Sequence, residues 1–133
     1  MCNITKELIE KVWKKGRSIT GYDDNVIRQD ACGAWMRFDK YGDRTNVFGW
    51  EIDHIYPKSK LRERNVPDDE IDCIDNLRPL NWINNDSKGS DYPIYHARTK
   101  ASGDKNIKCD NEYTVNENTQ NRIERLFGKY LNL

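Results

Sequence analysis

The stretch of sequence that decides the fold is Trp50-Glu51-Ile52-Asp53-His54-Ile55-Tyr56-Pro57. Apolar and polar residues alternate along it, and this alternation predicts a β-strand. Pro57 ends the strand because proline has no N–H to donate to a continuing ladder. Asp53 directly precedes His54, one of only two histidines in the chain. A carboxylate can bind a hard cation and an imidazole can accept a proton near neutral pH, so the pair is suited to hydrolytic chemistry.

Length and composition indicate one soluble domain. The 133 residues fit a single domain, numbered 1-133 here. The mean hydropathy of -0.98 indicates a polar chain whose modest core depends on its aromatic residues. The sequence has no apolar run of about 18 residues, and its N-terminus lacks the apolar centre of a signal peptide. We therefore expect a cytoplasmic protein that does not bind membranes.

The charge balance gives a weaker indication about partners. Twenty-two basic residues balance 22 acidic ones, so the formal net charge is zero. Tight non-specific nucleic-acid binders usually carry a basic excess, which counts mildly against that class. Basic residues clustered on one face would still allow nucleic-acid binding.

The cysteines do not predict a metal site. Cys2, Cys32, Cys73 and Cys109 form no Cys-x-x-Cys pair, so no structural zinc is expected. Free thiols are the favoured interpretation in a reducing cytosol, and a zinc or redox pair between distant cysteines is the alternative.

Both ends of the chain predict helices. An apolar stripe runs from Ile4 to Lys15, with Asn3 or Thr5 as the cap and Gly16 as the end. The basic residues at the end of this helix are Lys11, Lys14, Lys15 and Arg17. A solvated helix end suited to the helix dipole is the favoured interpretation of this basic cluster, and a DNA-contacting patch is the alternative.

A second helix is predicted from Glu117 to Leu131, capped by Asn116. Its apolar residues recur at helical spacing, including Ile123 and Phe127. We expect the two terminal helices to pack over a small central motif.

Five segments between the helices have mixed patterns. Residues 26–38 predict one or two short strands or a broken helix, and residues 76–82 predict a second strand. Residues 58–70 are highly charged and predict an exposed loop. Residues 84–90 are rich in capping residues and predict a short helix, whereas residues 108–115 are strand-like.

Three spaced blocks carry the functional hypothesis. They are Glu51-Ile52-Asp53-His54-Ile55-Tyr56-Pro57, Asn76-Leu77-Arg78-Pro79-Leu80 and Asn85-Asp86-Ser87-Lys88-Gly89. In this order they resemble the HNH endonuclease family, and most closely its small phage or prophage type without zinc-binding cysteine pairs. The resemblance covers about residues 50-91. It implies an α+β fold with a ββα-metal (HNH or His-Me finger) core and flanking N- and C-terminal helices.

The resemblance also implies roles for four residues. Asp53 would ligate a divalent metal ion, His54 would activate water as the general base, Asn76 would hold the histidine loop through backbone bonds, and Asn85 would complete the protein ligands. The oxygen donors of Asp53 and Asn85 suit Mg²⁺, or Mn²⁺, better than Zn²⁺. General-base help of this kind is typically worth about 10²–10⁴ in rate.

Four basic residues are candidates for phosphate binding. Lys58 and Lys60 follow the Asp-His pair closely, and Arg78 and Lys88 lie in the second and third blocks. A structural or solvated role is equally open for Lys88. His96 lies outside the blocks, and we expect it to have a surface or packing role.

Two departures from the family pattern affect these assignments. Asn81 and Asn84 stand where many family members have a zinc-binding cysteine pair, so the hairpin must be held by packing. Asn84 and Asp86 flank Asn85, which leaves the last metal ligand uncertain by one position. His54 must project into a cleft to act as a base, so we expect the strand to twist or bulge at its end.

The expected activity is hydrolysis of DNA phosphodiester bonds. One such site cuts one strand at a time, so a monomer should nick, and double-strand cutting would need a homodimer or a second event. The alternatives are a catalytically silent HNH-fold module that binds nucleic acid or protein, and a nuclease that acts on RNA.

Overall fold

Five helices and three two-stranded antiparallel sheets form an α+β fold in residues 4–132, the residues that the computed structural model describes. The elements in chain order are α1 (Lys6–Trp13), β1 (Ile27–Gln29), β2 (Trp35–Arg37), β3 (Trp50–His54), α2 (Lys58–Glu63), α3 (Asp68–Ile71), β4 (Leu77–Asn81), α4 (Trp82–Lys88), β5 (Ile94–Ser102), β6 (Lys105–Thr114) and α5 (Glu117–Leu131). Single 3₁₀ turns cover Phe38–Lys40 and Ile74–Asn76. Within the described residues no helix has the length and apolar character needed to cross a membrane.

The central feature is the antiparallel pair of β3 and β4, with α4 starting directly after β4. The register is unbroken from Trp50 opposite Asn81 to His54 opposite Leu77. The pair therefore has no bulge at His54, which was one of the two distortions expected there.

The two faces of this pair pack against two separate hydrophobic cores. The first core is made by Cys32, Ile55, Leu61, Val66, Ile71, Leu80, Tyr95, Ala97, Val115, Ile123 and Phe127. The second core is made by Val12, Trp13, Met36, Trp50 and Leu77. Adjacent residues on a strand point to opposite faces, which is why one pair of strands can serve both cores.

The terminal helices pack as the periodicity predicts. α5 has the predicted bounds, and its cap is confirmed because the Asn116 side chain accepts a hydrogen bond from the backbone N–H of Thr119. Ile123 and Phe127 bury this helix in the first core. The side chain of Thr5 caps α1, and the alternative cap Asn3 lies outside the described residues. Helix α1 ends at Trp13, two residues before the predicted end.

Residues 58–70 are not the exposed loop that their charge predicts. They form α2 and most of α3, and each of these helices begins directly after a proline, a residue tolerated at helix starts because its missing N–H is not needed there. Leu61, Val66 and Ile71 are buried in the first core. These three apolar residues recur at every fifth position, and the many charged residues between them make this pattern hard to recognise in the sequence.

The mixed segments form two further hairpins. Residues 26–38 contain β1 and β2, joined through a turn in which Gly33 has a φ of +81°. Residues 101–106 are the tip of the long β5–β6 hairpin. Buried residues alternate along β5 where Tyr95, Ala97 and Thr99 face inward.

A buried carboxylate joins these parts. Asp30 Oδ1 accepts hydrogen bonds from the backbone N–H groups of Cys32 and Ala34, each at 2.9 Å. Its Oδ2 accepts from the backbone N–H of Asn81 at 3.0 Å and from the side chain of Asn84 at 3.1 Å. The β1–β2 turn is thereby fixed to the junction of β4 and α4, so hydrogen bonds as well as packing hold the central motif.

Candidate active site

His54 is paired with a carboxylate that follows it by eighteen positions. Its Nε2 lies 2.7 Å from Oδ1 of Asp72, whose side chain is only 7% exposed. An ionised carboxylate can only accept hydrogen bonds, so Nε2 carries the proton and Nδ1 is the basic nitrogen of the neutral ring. The Asp72 carboxylate therefore fixes both the tautomer and the orientation of the imidazole.

The imidazole borders a pocket, here called the His54 pocket. Its polar residues are Glu51, His54, Lys58, Asp72 and Asn85, and its remaining lining residues are Ile4, Leu8, Tyr41, Gly42, Ile52 and Leu77. An adjoining pocket is lined in part by Asp53, His54, Lys58 and Asn85. The structure thus brings the first and third sequence blocks together around one imidazole.

Lys58 is the basic residue at this site. It begins α2, and its Nζ lies 3.5 Å from the same Asp72 oxygen that contacts His54. Its side chain is 19% exposed, so the ammonium is at the pocket and within reach of solvent. Lys60 lies two residues further along α2 and lines neither pocket.

Glu51 and Asn85 form a pair of oxygen-bearing groups on the other side of the pocket. The amide Nδ2 of Asn85 donates to Glu51 Oε1 at 2.8 Å. Arg44 binds the same carboxylate with two parallel bonds, Nε to Oε2 at 2.8 Å and Nη2 to Oε1 at 2.9 Å. The Arg44 guanidinium, followed by the Asn85 amide, lowers the pKa of Glu51, and burial opposes the shift. Glu51 is consequently held as a carboxylate.

Asp53 is held in a buried group of three charges. Its Oδ2 accepts from Nε of Arg78 at 2.9 Å, and its Oδ1 lies 3.3 Å from Nζ of Lys88. The Asp53 side chain is 4% exposed, and that of Lys88 is fully buried. Both carboxylate oxygens therefore have a cationic partner, and the three residues together carry a formal charge of +1.

The position of Lys88 favours the structural role over a phosphate contact. Its ammonium also donates to the backbone carbonyl of His54 at 3.2 Å. Burial lowers the pKa of Lys88, and the Asp53 carboxylate opposes that shift. Because the ammonium is enclosed against β3, the contacts favour a role in which Lys88 supports this strand over the predicted contact with substrate.

Asn76 has the structural position that was expected. It is fully buried, and its Oδ1 accepts from the backbone N–H of Tyr56 at 2.9 Å. Its Nδ2 donates to the carbonyl oxygens of Tyr56 and Ile71, at 3.3 Å and 3.0 Å. These bonds fix the segment immediately after His54 to the segment immediately before Asp72.

The three candidates for the last ligand position have distinct environments. Asn84 is fully buried, and its Oδ1 accepts from the backbone N–H groups of Arg98 and Thr99, so it fixes α4 to β5. Asp86 is exposed and contacts Arg44 at 3.3 Å. Among the three, only Asn85 lines the His54 pocket.

Glu51 and Asn85 are the first candidates to hold a hard divalent cation at this pocket, because both side chains carry oxygen atoms. The 2.8 Å contact between Asn85 and Glu51 Oε1 is made by the amide Nδ2, so Asn85 would bind an ion through its other amide atom, Oδ1. Asp53 lines the adjoining pocket, but it would have to exchange Arg78 or Lys88 for the metal. Across residues 4–132 no three His, Cys, Asp or Glu side chains converge as a metal-binding group.

Sequence reasoning missed three residues of this site. Glu51 stands inside the decisive stretch, on the face of Asp53, so its alternation could have indicated a role. Arg44 and Asp72 give no such signal, because turns and two short helices bring them to the pocket. His96, as expected, lies at the surface, where its Nδ1 is 3.0 Å from Asp110.

Comparisons of the chain with protein-family models, with curated proteins and with solved structures find no match.

Proposed function

We propose that this chain is a metal-dependent endonuclease of the HNH type that hydrolyses phosphodiester bonds in DNA. One observation carries the proposal: a histidine oriented by a carboxylate borders the same pocket as two hard oxygen donors. The order of elements, two antiparallel strands followed directly by a helix, supports a ββα-metal core.

The roles follow from the contacts of each side chain. His54 takes the proton of the attacking water on Nδ1, while Asp72 holds the opposite nitrogen and stabilises the imidazolium that forms. Lys58 is placed to contact a phosphate oxygen at the pocket. Asn76 keeps the segment that follows His54 in position.

Asn85, with Glu51 and Asp53, would hold a divalent ion, most suitably Mg²⁺ or Mn²⁺. Such an ion, when bound, stabilises negative charge on the phosphate and on the leaving oxygen. Glu51 is already ionised, but Arg44 and Asn85 occupy its carboxylate oxygens, so it would have to release one of these contacts to bind the ion. One site of this kind would nick a duplex, and cutting both strands would require a homodimer or a second event.

The test uses the purified full chain and supercoiled plasmid DNA with Mg²⁺ or Mn²⁺. We expect nicked circles, and we expect EDTA to prevent their formation. His54→Ala should remove the activity while the circular dichroism spectrum stays unchanged. His96→Ala is the matched control, because it removes the other histidine of the chain from an exposed position. Equal nicking by wild type and His54→Ala would overturn the proposal.

A non-catalytic nucleic-acid-binding module is the second candidate. It is favoured by the pairing of both Asp53 oxygens with cations, which leaves that carboxylate neutralised without a metal. Retention of DNA with no cleavage in Mg²⁺ or Mn²⁺ would support this candidate. Digestion of matched DNA and RNA oligonucleotides side by side would separate a DNA nuclease from an RNA nuclease.

A further inference from the structure

A second pocket, here called the basic pocket, collects positive charge away from His54. Its cationic lining residues are Lys15, Arg17, Arg78 and Arg122, and its other lining residues are Ala31, Ile55, Leu77, Tyr95, Tyr113, Thr114, Val115, Asn116 and Thr119. The described part of the chain contributes no acidic side chain to this lining. Since the whole molecule has a formal net charge of zero, this is a local concentration of charge.

Nearby acids only partly balance these cations. Asp53 pairs with Arg78, but Lys88 shares that carboxylate, so the buried group retains one positive charge. Burial lowers the pKa of Lys15; Asp75 opposes this shift and Arg122 adds to it. The positive charge of Arg122 is therefore close enough to Lys15 to disfavour its charged form. An anion in the basic pocket would be attracted by all four cations.

Arg78 contributes a largely buried guanidinium to the lining of this pocket. Its Nε is bound to Asp53, and its guanidinium carbon lies 5.2 Å from the centre of the Tyr95 ring. Its Nη2 is buried, and within residues 4–132 it is the one buried side-chain nitrogen or oxygen with no hydrogen-bond partner. A buried donor without a partner is unfavourable, and more so when it is charged.

We propose that the basic pocket binds a phosphate group of a nucleic-acid strand, at a site separate from the His54 pocket. A guanidinium presents fixed donors that match a tetrahedral oxyanion, and Lys15 and two exposed arginines supply further charge. Side chains of Thr114, Asn116 and Thr119 add polar groups to the wall. The site needs neither a divalent metal nor cleavage, so it does not depend on the nuclease activity.

The pocket also gives a role to the basic end of α1. Lys15 donates hydrogen bonds to the backbone carbonyls of Ile74 and Leu77, and Arg17 donates to the carbonyl of Ala31 at 3.3 Å. Both side chains are thus positioned by the fold. This placement favours the DNA-contacting interpretation of that cluster over a freely solvated helix end.

The test measures binding in the His54→Ala background with EDTA, so that cleavage plays no part. A fluorescent single-stranded oligonucleotide is titrated with protein at several salt concentrations. The pocket variant is Arg17→Gln with Arg122→Gln, two exposed positions that a folded chain should tolerate. Arg125→Gln is the matched control, because it removes an exposed arginine of the same helix that does not line the pocket.

We expect the double variant to bind about tenfold more weakly and to lose about one to two units from the slope of log affinity against log salt. The single control should match the background protein. Inorganic phosphate, added to ¹⁵N-labelled protein, should shift the amide signals of residues 114–119 and leave those of residues 51–54 in place.

Equal oligonucleotide affinity in the double variant and the control would overturn the proposal. Phosphate-induced shifts with unchanged oligonucleotide affinity would overturn the assignment to nucleic acid and identify a site for free phosphate. If the plasmid test fails and these binding results still hold, the basic pocket binds nucleic acid independently of the proposed activity.

Discussion

At the scale of single residues, Asp53 has two assigned roles that a mutation cannot separate. It is the carboxylate that the sequence resemblance assigns to a metal, and it is also the counter-charge for Arg78 and Lys88. An inactive Asp53 variant would therefore not identify a metal ligand. Asn85 is the better residue for that purpose, because it is only half-buried and bonds to Glu51 alone among the contacts seen.

We expect Asp53→Asn to lower the free energy of unfolding by about 3–5 kcal/mol, since it leaves two buried cations without their carboxylate. Asn85→Ala should change that free energy by less than about 1 kcal/mol and should still remove the activity. Urea denaturation followed by circular dichroism measures both. An Asp53→Asn protein as stable as wild type would show that Arg78 and Lys88 find another counter-charge.

Asp72 permits a sharper test of how His54 works. Asp72→Asn removes the negative charge and allows the wrong imidazole tautomer, so we expect the nicking rate at saturating DNA to fall at least about tenfold. Binding of uncleaved DNA should stay unchanged. Asp69→Asn, an exposed change in α3, the helix that ends just before Asp72, is the control. Equal rates for both variants would assign Asp72 a purely structural role.

The candidate site could be predicted only where its residues fall in the three blocks that carry the family resemblance. Asp53, His54, Asn76 and Asn85 were assigned from that resemblance, and the structure brings His54 and Asn85 to one pocket. Asp72 was missed because its approach to His54 depends on the path of the connection through α2 and α3. The enclosure of Lys88 was missed because sequence does not show which side of a short helix faces a neighbouring strand.

At the scale of elements, local periodicity determined what could be predicted. β3, β4 and α5 each have a clear apolar repeat, and α5 agrees to the residue. α2 and α3 were missed because each is at most six residues long and carries mostly charged residues. Their formation depends on the burial of Leu61 and Ile71 against distant elements, which local sequence cannot show.

The docking of α5 gives a prediction at this scale. Phe127 is 1% exposed in the first core, so Phe127→Ala should lower the free energy of unfolding by about 3–5 kcal/mol. Glu124→Ala, an exposed change in the same helix, should alter it by less than about 0.5 kcal/mol. Chemical denaturation of the three proteins measures the difference. A small effect of Phe127→Ala would mean that α5 is not part of the cooperative unit.

At the scale of the whole molecule, the zero net charge does not mean that charge is evenly distributed. Four cations line the basic pocket, whereas the His54 pocket holds the carboxylates of Glu51 and Asp72 together with Lys58. Composition alone therefore could not show where an anion would be attracted. The two pockets share only Leu77 among their lining residues, so each can be altered by mutation without touching the other.

The two hydrophobic cores differ in their aromatic residues, so intrinsic fluorescence and absorbance can follow their unfolding. Trp13 and Trp50 belong to the second core. The first core contains no tryptophan among the described residues, but its tyrosines are Tyr56, Tyr92, Tyr95, Tyr113 and Tyr130. Two of the four tryptophans therefore report on one side of the β3–β4 pair, and five of the seven tyrosines report on the other. Because that pair belongs to both cores, we expect the two signals to change at the same urea concentration, as two-state unfolding requires. Separate midpoints would show that the two sides melt independently.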